Sequence, residues 1–168
     1  IGASNLWKGD ITADTYTGFF QFTGGSNVMN VVTDTTNTYG ADNSNVNINV
    51  TGSSNTMTLN QATTAAAGTL DLDWIIQGSN NTVTSTINID QATNYMDIDG
   101  SDNTITYTGT GVNASAQGYF WLDHTGGSRT FTISQTSTQN NDWLTITSNG
   151  SNGTVCVEHD DQGKAVGC

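Results

Sequence analysis

The sequence predicts an all-β fold, a β-solenoid of about six strand-turn-strand repeats. Three observations carry this expectation. A phrase centred on Gly-Ser-Asn returns six times, as "FQFTGGSNVMNV", "INVTGSSNTMTL", "WIIQGSNNTVTS", "MDIDGSDNTITY", "LDHTGGSRTFTI" and "ITSNGSNGTVCV". On both sides of each centre, apolar residues alternate with Thr, Asn and Asp, the period of two that marks a half-buried strand. Single columns also keep their residue identity. Asn27, Asn55, Asn81 and Asn103 share one position, and Thr56, Thr82, Thr104, Thr130 and Thr154 share the next.

The glycines that open the turns are Gly24, Gly52, Gly78, Gly100, Gly126 and Gly150, spaced by 28, 26, 22, 26 and 24 residues. Such spacing belongs to stacked repeats. Before the turn the alternate positions are Phe20/Phe22, Ile48/Val50, Trp74/Ile76, Met96/Ile98 and Leu122/His124. After it come Met29/Val31, Met57/Leu59, Val83/Ser85, Ile105/Tyr107, Phe131/Ile133 and Val155/Val157. Gly and Asn tolerate positive φ, so the centre is a tight turn. Looser connectors such as "ATTAAAGT" and "GTGVNASAQG" follow, and no window has a convincing helical period.

One copy alone is marginal in water. Stacking buries its apolar face and pairs each strand with its equivalents above and below. Phe22, Val50, Ile76 and Ile98 should then form one buried column, and Met29, Met57, Val83 and Ile105 another. A slip of one residue would expose a whole face. Asn amides can hydrogen-bond along their column. The alternative is a β-sandwich of antiparallel hairpins, which has no need of one residue type per column.

Residues 1–18, "IGASNLWKGDITADTYTG", stand outside the clear repeats yet carry Ile1, Leu6, Trp7, Ile11 and Tyr16. They are expected to form an arm that crosses to a neighbouring subunit. Residues 19–168 form the single repeat domain. Its C-terminal loop can be closed by a disulfide between Cys156 and Cys168, contributing about 3 kcal/mol. Two free thiols are the other reading.

The net charge is −12, and Lys8, Arg129 and Lys164 are the three cations. That balance argues against nucleic acid and anionic membranes as partners. No apolar run approaches the roughly 20 residues of a membrane span. A start at Ile1 suggests a removed export signal or a fragment. With a disulfide, the expected location is extracellular or at the cell surface.

In "TGSSNTMTLNQ" the residues Gly52, Asn55, Met57, Leu59 and Gln61 follow the pattern of the curlin repeat of bacterial curli fibres, which this chain resembles. Gln135 holds the same place in "GGSRTFTISQ", with Arg129 where Asn would stand. Two residues before the Gly, where curlin carries Gln, this chain has Phe22, Val50, Ile76, Ile98 or His124. The resemblance implies an exported, self-assembling fibre subunit. It carries over no catalytic or binding residue.

Sites for chemistry are sparse. Asp123 and His124 are neighbours on a strand and so point to opposite faces. His159, among Glu158, Asp160 and Asp161, reads as a solvated acidic turn or a metal ligand. Asp97, Asp99 and Asp102 are calcium candidates, but the closing Glu of a calcium loop is missing. Otherwise no cofactor is expected. Asp71 and Asp73 share one strand face. Asn49, Asn80, Asn113, Asn149 and Asn152 are glycosylation sequons. Trp74, Trp121 and Trp143 each precede a turn, where they could stack on sugars or pack in the core. No nucleophile elbow, phosphate loop or zinc-helix motif occurs.

The expected function is therefore a non-enzymatic structural subunit of an extracellular filament, a homopolymer joined head to tail. The alternative is an adhesin or virion tail-fibre domain that binds carbohydrate. A polysaccharide-acting enzyme comes third.

Overall fold

Thirteen strands alternate between two sheets in the computed structural model, which describes residues 2–11, 15–33, 43–61, 69–88, 90–111, 117–136 and 142–160. The odd strands are β1 (Leu6–Ile11), β3 (Val28–Thr33), β5 (Thr56–Gln61), β7 (Thr82–Asn88), β9 (Asn103–Thr110), β11 (Arg129–Thr136) and β13 (Thr154–Asp160). They form a seven-stranded sheet in that order. The even strands are β2 (Thr17–Thr23), β4 (Asn45–Thr51), β6 (Leu70–Gln77), β8 (Ala92–Asp99), β10 (Tyr119–Thr125) and β12 (Trp143–Asn149). They form a six-stranded sheet, also in chain order. Every pairing is parallel. This is the expected β-solenoid. A sandwich of antiparallel hairpins would pair consecutive strands, and here consecutive strands lie in different sheets.

The turn chemistry explains why each copy is an arch and not a hairpin. Gly52 and Gly78 have φ of 133°, and Gly100 has 145°. Two residues later Ser54, Asn80 and Asp102 sit at 60°, 57° and 58°. Their amides are satisfied by the next layer, not across the turn. Gly52 N donates to Gln77 O at 2.8 Å, Gly78 N to Asp99 O at 2.8 Å and Gly100 N to Thr125 O at 2.9 Å. The layers meet so closely that a Cβ on Gly78 would lie 2.2 Å from the Gly52 carbonyl oxygen. Glycine is required there by sterics as well as by φ.

Between the sheets lies one core. Val50, Ile76 and Ile98 are buried in one expected column, and Met29, Met57, Val83 and Ile105 are buried in the other. Phe22 is only half-buried, because it lies in the first arch. Trp74, Tyr107, Phe120 and Phe131 are the largest fully buried side chains, and Tyr107 stacks on Phe120 at 4.0 Å.

The Asn column is a buried ladder. Asn27 N and Nδ2 both donate to Asn55 Oδ1, at 2.9 and 3.1 Å. Asn55 repeats this on Asn81 Oδ1 at 3.0 and 3.1 Å, and Asn81 N donates to Asn103 Oδ1 at 2.9 Å. Arg129 pairs with Asn103 in the register, and it ends the ladder.

The N-terminal stretch differs from the expected arm. β1 pairs with β3 in its own chain, Trp7 opposite Met29. Gly2 N donates to Thr23 O and Ser4 N to Gly25 O, both at 3.0 Å, and Asn5 bonds to Asn27 Oδ1 through both nitrogens. Gly2-Ala3-Ser4-Asn5 is the same turn phrase, so this stretch is the second half of one more copy. It was obscured because Gly9 takes an inward position.

Candidate functional site

The two ends of the stack are where the repeat leaves its own bonding unfinished. At one end β1 is the edge of the seven-stranded sheet and β2 the edge of the six-stranded one. β1 lies one layer beyond β3, whereas β2 shares its arch with β3. The end is therefore a step. Against the step lies a groove of ≈ 460 Å³ lined by Leu6, Trp7, Phe20, Phe22 and Asn27, among others. Trp7 leans over Gly9, where a Cβ would meet its ring at 2.8 Å. Its ring lies 4.9 Å from Phe20 and 6.4 Å from Phe22. One aromatic side chain thus half-covers what a full layer covers elsewhere.

At the other end β12 and β13 are both edges. Val155 and Val157 continue the inward columns of Phe131 and Ile133, yet they are 38% and 39% exposed. Leu144 and Ile146, which continue Phe120 and Leu122, are only partly buried. Among the described residues, both ends thus present apolar inward residues beside sheet edges, the pattern that invites strand addition.

The outer face of the six-stranded sheet holds most of the remaining candidates. Asp71, Asp73, Asp97, Asp99 and Asp123 all point outward there. Burial raises the pKa of Asp73 from its ordinary carboxylate value, and Asp71 adds to the rise. Burial also raises Tyr95, helped by Asp97 and Asp123, and its hydroxyl donates to Asp123 Oδ2 at 3.3 Å. Tyr119 and Trp121 lie on the same face with rings stacked at 5.4 Å and 6°. Trp143 continues the Tyr119 column and is 56% exposed.

The chain matches no protein-family model, no curated protein and no solved structure.

The calcium candidates do not converge. Asp97 and Asp99 are two apart on β8, and Asp102 sits in the following turn. Among the described residues no three His, Cys, Asp or Glu side chains form a metal-holding group. His124 points inward, away from Asp123, and is 2% exposed. Its Nδ1 lies 3.0 Å from Ser148 Oγ and its Nε2 3.2 Å from the Gly100 carbonyl. Burial holds its pKa below the ordinary histidine value, against the opposing pull of that carbonyl. His159 is exposed on β13. The sequons Asn80, Asn149 and Asn152 are exposed, and Asn49 is half-buried on the outer side of β4; Asn113 lies outside the described residues. Cys156 is on β13 opposite Thr132, and its expected partner Cys168 lies outside the described residues.

The three tryptophans divide. Trp74 is 1% exposed and belongs to the core, while Trp121 and Trp143 face outward. Parity from the turn glycine is the signal that separates them. Trp74 stands four residues before Gly78, an even step and inward. Trp121 stands five before Gly126 and Trp143 seven before Gly150, odd steps and outward. The curlin-type glutamines Gln61 and Gln135 are both buried, but Ile87 and Gly109 stand between them, so no Gln ladder forms.

Proposed function

We propose that this protein is the structural subunit of an extracellular filament, with copies stacked head to tail along the solenoid axis. The state of the two ends supports this reading. Each exposes parallel strand edges and apolar residues that every inner layer buries. A contact that joins the β12–β13 end of one copy to the β1–β2 end of the next is heterologous and does not close, so it extends into a filament. The step at β1 keys the joint: a strand from the neighbour seats beside β2, over Phe20 and Phe22. The reading takes the fold as scaffold, with no catalytic role. It also takes Cys156 and Cys168 as a disulfide formed outside the cell.

Sedimentation of the intact protein and of Val157→Lys tests this. Lysine on an edge blocks strand addition and leaves the inner layers untouched. The intact protein should sediment as long polymers and the variant as a folded monomer. Polymers of undiminished length from Val157→Lys would show that this edge is not the joint.

A second reading has its own observation. The stacked Tyr119–Trp121 pair, with Trp143 beside it and Asp123 and Asp97 alongside, forms an aromatic and acidic platform on the six-stranded face. Such a platform suits the flat face and hydroxyls of a sugar ring, as an adhesin or tail-fibre domain would need. Retention on an immobilised polysaccharide, lost in Trp121→Ala, would favour it over the filament.

A further inference from the structure

We propose that the outer face of the seven-stranded sheet binds ice. The face is a grid of threonines. Thr56, Thr82, Thr104, Thr130 and Thr154 follow one another in register across β5 to β13. Two residues along each strand, Thr58, Thr84, Thr106 and Thr132 form a second column. A third column of Thr86, Thr108 and Ser134 lies beside it.

Parallel in-register strands fix the spacing of this grid. Layers repeat at about 4.8 Å, and alternate residues on one strand lie about 6.6 Å apart. Both distances are close to oxygen repeats on the faces of hexagonal ice. Threonine is stiff at χ1, so the hydroxyls are ordered before any ligand arrives and lose little entropy on binding. They make no side-chain hydrogen bond to another described residue, apart from Ser134 to Glu158 at 3.2 Å.

Charge is absent from the middle of the grid, β5 to β11, and Glu158 borders it on β13. The outward positions of β5, β7, β9 and β11 hold Thr, Ser and Asn, in a chain of net charge −12. Threonine's strand propensity explains why it is tolerated here. It does not explain why one sheet keeps it in columns up to five layers long while the other does not. The matching outer column of the six-stranded sheet runs Asn47, Asp73, Tyr95, Trp121, Thr145 over the same layers. A protein partner would call for an apolar centre and nucleic acid for cations; the grid has neither. An ordered lattice of water matches both its chemistry and its period. The face runs parallel to the stacking axis, so it stays open whether or not copies polymerise.

The test is partition of the intact protein into a slowly growing ice front, together with the gap between melting and freezing of a seeded crystal. The intact protein should enter the ice and open a gap. Thr84→Tyr with Thr106→Tyr, two good strand formers in the middle of the grid, should reduce both by tenfold or more. Asn47→Tyr, on the opposite face, should change neither. Circular dichroism confirms the fold of each variant. If the tyrosine pair unfolds, Thr84→Val with Thr106→Val keeps the shape, removes two hydroxyls, and should still lower partition measurably. Exclusion of the intact protein from ice, or undiminished partition of a folded grid variant, overturns the proposal.

Discussion

Asn81 accepts two buried hydrogen bonds from Asn55 and donates one, partly buried, to the Gly52 carbonyl at 3.0 Å. Asn81→Ala leaves the Asn55 amide and Nδ2 buried without an acceptor. Each orphan costs about 1–3 kcal/mol, so a loss near 3 kcal/mol is expected. In a chain of this size that lowers Tm by about 10 °C, which a melting curve reads directly. His124 gives a pH prediction. Its folded pKa lies below its unfolded value of about 6.5. The unfolded chain therefore binds the extra proton first, and His124's stabilising contribution falls as pH drops below about 6.5, down to the folded pKa. Thermal melts between about pH 8 and pH 5 should show Tm falling in acid, and His124→Ile, which continues the Ile98 column, should flatten that slope. An unchanged slope would place the dependence on other groups.

At the scale of the element, the repeat was legible because each strand must match its neighbours above and below. Turn glycines, the Asn column and both apolar columns could all be read from spacing. What could not be read was set by residues that break the pattern. Gly9 on an inward position hid β1, whereas the parting of each phrase's two strands into separate sheets was foreshadowed by the columns of constant residue type. The positive-φ pair in the turn and the pairing of Gly amides with the next layer supply its geometry. The tryptophans were legible in principle through parity, which yields a sharp comparison. Trp74→Ala should cost about 3–5 kcal/mol through the cavity it leaves. Trp121→Ala, on the outer face, should cost under about 1 kcal/mol. Denaturant midpoints of the two variants check the difference; a larger loss from Trp121→Ala would mean that the two faces have been exchanged, and equal losses would contradict the parity rule.

On the scale of the whole molecule, the acids of one face and the uncovered apolar residues fall in different places. The acids crowd onto the outer face of the six-stranded sheet, while the apolar residues left uncovered gather at the two ends. Copies of net charge −12 repel one another before their ends can meet. Screening acts over about 30 Å at 0.01 M salt and about 8 Å at 0.15 M. Polymerisation followed by light scattering should therefore be faster at the higher salt, and slower growth there would contradict end-to-end stacking. The state of the two ends could not be read from composition alone, because it depends on which layer lacks a neighbour. The most direct test is X-ray diffraction from aligned fibres of the intact protein. Head-to-tail stacking places every strand across the fibre, so a sharp reflection at about 4.8 Å should lie along the fibre axis. A protein that stays monomeric at high concentration, or fibres whose 4.8 Å reflection lies across the axis, would contradict the account.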